Sequence, residues 1–130
     1  MNKDDLLGDV QALLRKSIAS RLKIPRADYD YSLDVQTAVN HCLTNVMAIG
    51  YSGKIDAAVK DICETRYYMD NLDETALKDI KTEIIGTHNT FSVEIAVFTK
   101  MHAMNQADVE PTEIWAFVQS ALVVDDEYKA

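Results

Sequence analysis

The sequence predicts an all-α protein, a single compact bundle of about six helices over residues 1–130, and three observations carry that prediction. Gly and Pro together make up only six of the 130 residues. Five of them, Pro25, Gly50, Gly53, Gly86 and Pro111, fall between stretches rather than inside them, and these two residue types are the strongest breakers of regular structure. The stretches they separate carry apolar residues at i, i+3, i+4 and i+7, the spacing of one helix face. Only Gly8 sits inside a stripe, and nothing in the sequence explains it.

The first segment opens on Asn2-Lys-Asp-Asp5, a capping-box pattern, and carries Leu6, Val10, Leu13, Leu14, Ile18 and Leu22 to about Lys23, where Pro25 stops it. Residues 26 to 32 are polar and tyrosine-rich and read as a linker, with Ser32 as the next N-cap. The second helix carries Val35, Val39, Cys42, Val46 and Ile49 and is expected to end on Gly50. Tyr51-Ser52-Gly53 then turns into a third, marked by Ile55, Ala58, Val59, Ile62, Cys63, Arg66 and Met69; so short a turn makes the two antiparallel neighbours. Asn71 to Glu74 offers a cap for the fourth, whose stripe Ala76, Leu77, Ile80, Ile84 and Ile85 closes at Gly86.

In the fifth segment, Thr90 to Asn105, two periods compete. Phe91, Val93, Ile95 and Val97 alternate as in a strand, whereas Phe91, Ile95, Phe98 and His102 fit a helix stripe. A strand needs a partner, and no second strand reads clearly elsewhere, so helix is the choice. Apolar residues on nearly every side predict the most buried helix of the bundle. The last helix has Pro111 at its first position and continues through Ile114, Trp115, Phe117, Val118, Ala121 and Leu122. Residues 125–130 are expected to fray.

Composition narrows the classes. No apolar run approaches the roughly 18 residues that span a bilayer, so no membrane partner is expected. The polar, acidic start, Met1 to Asp5, lacks an export pattern, and two cysteines fit a reducing cytoplasm, which is the expected location. Net charge is −8, unevenly spread: residues 1–27 hold six Lys/Arg against three Asp/Glu, and the remainder is strongly acidic. Arg15, Lys16, Arg21, Lys23 and Arg26 all fall in the acid-free gap between Asp9 and Asp28. Such a cluster either completes a helix C-terminus and pairs with acids elsewhere, or presents a binding patch. The acidic remainder argues against direct nucleic-acid binding, through phosphate repulsion.

No pattern carries specific chemistry. Asp28, Asp30, Ser32 and Asp34 form half of a calcium loop, but Leu33 stands where the turn needs Gly and Val39 where the ion needs Glu. Cys42 and Cys63 should lie at similar heights on facing stripes, where two buried thiols act as small hydrophobes. His41 and Glu64, each adjacent to one of them, point about 100° away on their helices and cannot easily join a shared metal. The acidic pairs Asp61/Glu64, Asp70/Asp73 and Glu110/Glu113 lack the facing ExxE and ExxD order of a magnesium-dependent nucleotide hydrolase. A helix-turn-helix reading fails because residues 111–120 hold no Lys or Arg to meet phosphate or guanine.

The expectation is a non-enzymatic module that binds another protein, as an inhibitor, adaptor or assembly subunit, a class that includes phage-type regulators of host complexes. No cofactor, metal or catalytic residue is assigned. Its candidate contact residues are Arg15, Lys16, Arg21, Lys23, Arg26, Tyr29, Tyr31, Arg66, Tyr67 and Tyr68, because Tyr and Arg carry interface energy disproportionately. One alternative is a small helical enzyme or nucleotide- or small-molecule-binding protein using His88, His102 and nearby carboxylates. Another is a homo-oligomer joined through apolar surface on the last two helices.

Overall fold

The computed structural model describes residues 1–66 and 72–129. Within them seven helices form a bundle and no strand occurs. They are α1 (Lys3–Arg21), α2 (Arg26–Tyr31), α3 (Leu33–Ser52), α4 (Ile55–Arg66), α5 (Glu74–Thr90), α6 (Ser92–Gln106) and α7 (Pro111–Ala121), followed by a 3-10 turn at Asp126–Tyr128. No helix among the described residues is long and apolar enough to cross a membrane.

The helix starts follow local chemistry. Asn2 caps α1 by accepting the Asp5 N–H at 2.8 Å, and Asp5 returns the bond to the Asn2 N–H, as the capping-box pattern predicts. Ser32 accepts the Val35 N–H at the start of α3, and Asp73 accepts the Ala76 N–H at the start of α5. Pro111 opens α7, where a missing N–H costs nothing.

The end of α1 falls where it is expected, near Lys23, while α3 and α5 run past theirs. At the end of α1, Lys23 adopts a left-handed conformation (φ 60), the Ile24 N–H reaches back to Ala19 O at 3.0 Å and the Lys23 N–H to Ser20 O at 3.1 Å. The backbone therefore closes α1 before Pro25 is reached. The same closure ends α6, with Asp108 left-handed (φ 58) and the Val109 N–H on Met104 O. Gly50 does not end α3. The helix runs on to Ser52 and is capped by Gly53, whose φ of 71 a side chain would resist. Gly50 instead lies under a ring: a Cβ there would meet Phe98 Cδ1 at 2.5 Å, so its absence sets how closely α3 and α6 approach. Gly86 likewise lies inside α5, four residues before the helix ends.

Two further expectations are corrected. Residues 26–31 are a short helix rather than a linker, and its only first-turn acid is Asp28. The central helix is α3, not α6: α3 packs against α1, α2, α4, α5 and α6 and buries Val39, Leu43, Asn45, Val46, Ala48, Ile49 and Gly50. In α6 the buried set is Glu94, Ile95, Val97, Phe98 and Met101, while Val93 is 46% exposed. Burial at 94, 97, 98 and 101 follows the helical period, so the strand-like alternation of residues 91–97 was incidental. The core is one cluster running from Leu6 to Tyr128.

The chain's last described residues do not fray. Asp125 N–H donates to Ser20 Oγ at 2.9 Å, Arg26 Nη1 donates to Glu127 O at 2.6 Å, and the Tyr128 hydroxyl donates to Ile24 O. Tyr128 is 2% exposed and meets Tyr29 edge to face, 5.7 Å between centroids. Burial, and behind it the carboxylate of Glu127, the Tyr29 phenol and the carboxylates of Asp30 and Asp125, hold its phenol above the usual tyrosine range.

Candidate functional site

The five bases that cluster in the sequence are dispersed over the second half of α1, its closing turn and the start of α2. Arg21 turns toward α6, where its Nε donates to both oxygens of Glu94, at 2.7 and 3.0 Å. Glu94 has no exposed side-chain surface, and this is the pairing that makes its burial tolerable. Arg26 joins the C-terminal turn and lies 3.5 Å from Asp30. Lys23 occupies the left-handed turn position. Lys16 lines a groove of about 450 Å³ between α1, α7 and the chain end, over Leu13, Trp115 and Val124.

Arg15 points another way, toward α3. Its Nε donates to Asn40 Oδ1 at 2.7 Å. It lines two clefts that share this pair: one of about 250 Å³ with Tyr29, Asp30 and Gln36, and one of about 390 Å³ against α4, floored by Leu43, Met47 and Ile62. The first is braced by Gln36, whose amide donates to Tyr29 O at 3.0 Å and Asp30 O at 3.1 Å and so ties α2 to α3. Beside it, Tyr31 is 87% exposed and Leu33 77% exposed, the most exposed large apolar side chains of the first half of the chain.

Of the predicted contact residues, the structure thus brings Arg15, Tyr29 and Tyr31 to the junction of α1, α2 and α3. Arg21 and Arg26 are committed to internal acids. Arg66 is the last residue of α4, and Tyr67 and Tyr68 lie outside the described residues.

The histidines do not assemble. His88 lines a cleft of about 510 Å³ with Asp56 and Thr99, whereas His102 lines a separate one of about 190 Å³ with Lys3, Tyr51 and Asn105. Tyr51 stands edge to face with both Phe98 and His102, 4.9 Å between centroids in each pair. His41, unassigned from sequence, contacts the Glu83 carboxylate, and Asn45 Nδ2 donates to the same oxygen at 2.7 Å. This polar knot joins α3 to α5. It does not activate the neighbouring thiol: burial first and the Glu83 charge second raise the Cys42 pKa, and the thiolate is the nucleophile. Cys42 and Cys63 are both free, and Cys63 is buried in the core. Among the described residues no three His, Cys, Asp or Glu side chains are grouped to hold a metal.

Asn40 and Gln36 escaped the sequence reading because a neutral amide on a helix carries no charge or periodicity signal. Their i, i+4 spacing on the face next to Ser32 is the one trace they leave. Comparison with protein-family models, curated proteins and solved structures finds no match.

Proposed function

We propose that the protein is a non-enzymatic module that binds another protein, as an inhibitor, adaptor or assembly subunit, through the corner where α2 meets α3. The observation that carries this reading is the pair Tyr31 and Leu33, almost wholly in solvent beside the braced cleft of Arg15 and Tyr29. Tyr31 ends α2 and Leu33 opens α3, so their backbones are already ordered, and burying each side chain is worth about 1.5–3 kcal/mol against about 0.5–1.5 kcal/mol for immobilising it.

The test uses their exposure. Tyr31→Ser with Leu33→Ser removes no core contact, so helix content and Tm are expected to stay within about 1–2 °C of wild type. Affinity capture from cells of origin, read by mass spectrometry, is expected to recover a stoichiometric partner with the wild-type protein and to lose it with the double variant. Equal recovery by both sinks the reading.

One observation favours a second reading, a small-molecule binder. Asn105 Oδ1 is buried and accepts no hydrogen bond from the described residues, and Asn105 lines the cleft of His102 and Tyr51. A small ligand with a donor group would satisfy it. A metabolite screen by thermal shift is expected to find a hit that Asn105→Ala abolishes; a flat screen counts against this reading.

A further inference from the structure

The Arg15–Asn40 pair has the chemistry of an unfilled anion anchor. The chain carries 21 Asp/Glu against 13 Lys/Arg. Among the described residues, however, no carboxylate lies within ion-pair distance of Arg15, while Arg21 and Arg26 both have one. Arg15 is half-buried, and its single hydrogen bond goes from Nε to the neutral Asn40 Oδ1 at 2.7 Å. That bond fixes the plane of the guanidinium and leaves its two Nη groups side by side at the end, the geometry that takes both oxygens of a carboxylate. Asn40 spends only its oxygen on Arg15, so its Nδ2 group remains a donor beside the cation.

We propose that Arg15 and Asn40 bind a carboxylate supplied by an aspartate or glutamate side chain of a partner protein. The inference rests on the docking reading above, and extends it to the partner's chemistry. Charge decides against phosphate: Asp30 lines one of the two clefts and Asp61 the other, and both would repel a dianion more than a single negative charge. Shape decides for a side chain. The floor of Leu43, Met47 and Ile62 receives aliphatic carbons, and Tyr29 and Asp30 lead directly to the exposed Tyr31.

Sodium propionate, the glutamate side chain without its backbone, is the probe. In NMR titrations of the whole protein, the Arg15 Nε–H and Asn40 Nδ2 resonances are expected to shift saturably with propionate and not with neutral propionamide. Arg15→Gln, which keeps a polar side chain at this position, is expected to abolish the Asn40 shift while its backbone spectrum stays folded. It is also expected to weaken partner capture about tenfold, the usual scale for one charge-assisted contact. No saturable shift, an equal Asn40 shift in Arg15→Gln, or tighter binding of inorganic phosphate than of propionate overturns the carboxylate assignment. A propionate response with capture unchanged by Arg15→Gln overturns the partner as its source. Capture lost on Tyr31→Ser with Leu33→Ser, but with no propionate response, keeps the docking reading and rejects the anchor.

Discussion

Arg21 and Arg15 stand six residues apart on α1 and end in opposite electrostatic situations. Arg21 closes on Glu94, a carboxylate wholly removed from water, and the two are held together by the fold. Arg15 leans on a neutral amide at the edge of two open clefts. A charged residue with a buried partner is part of the architecture, whereas one with a neutral partner remains available to an outside charge. Contiguity in sequence hides this difference, because neighbouring helical residues face different neighbours.

The contrast is broken most sharply by removing the committed cation. Arg21→Met strands the Glu94 charge in the core and is expected to cost about 2–3 kcal/mol in urea denaturation, below the full cost for a buried pair because the Arg21 side chain stays 39% exposed. Pairing it with Glu94→Leu is expected to recover most of that loss, since the penalty comes from the orphaned charge. A neutral Arg21→Met would mean that the burial of Glu94 does not depend on Arg21.

A smaller effect is expected at the end of the chain. Tyr128→Phe removes the bond to Ile24 O and is expected to cost about 1 kcal/mol. The folded state holds this phenol neutral above its ordinary pKa, while the unfolded chain ionises near pH 10. Its contribution is therefore full below about pH 10 and is lost as pH rises beyond it. The stability gap between wild type and Tyr128→Phe is expected to widen in no pH range below 10 and to shrink above it. The smallest effect belongs to Arg15→Gln, expected within about 0.5 kcal/mol of wild type because no charge is orphaned. A loss as large as that of Arg21→Met would erase the comparison.

How far these distinctions were legible depends on how local their causes are. Capping at Asn2 and Ser32 needs only a side-chain oxygen and the backbone N–H three residues on, and both were readable. The end of α1 near Lys23 was readable because Pro25 stands just beyond it, whereas α3 was stopped three residues early because Gly50 and Gly53 are the same residue type and only the fold shows which of them takes the positive φ. Gly50 is explained only by Phe98, 48 positions later, and no sequence pattern announces such an approach. A Cβ at Gly8 would meet nothing within 4 Å among the described residues, so no close approach there requires a glycine. At the candidate site the cation and tyrosines were visible as residue types. Their sorting into committed and available was not, because Glu94, Glu127 and Asn40 come from three other parts of the fold.

The packing of α1 against α6, α7 and the final turn has a consequence for biosynthesis. During translation the first helix emerges with Leu6, Val10, Leu14 and Ile18 facing outward, and part of what covers them is made only in the last third of the chain. At about 5–20 residues per second, that wait lasts several seconds. Until then the nascent first helix is an amphipathic ligand for whatever holds apolar chains at the ribosome.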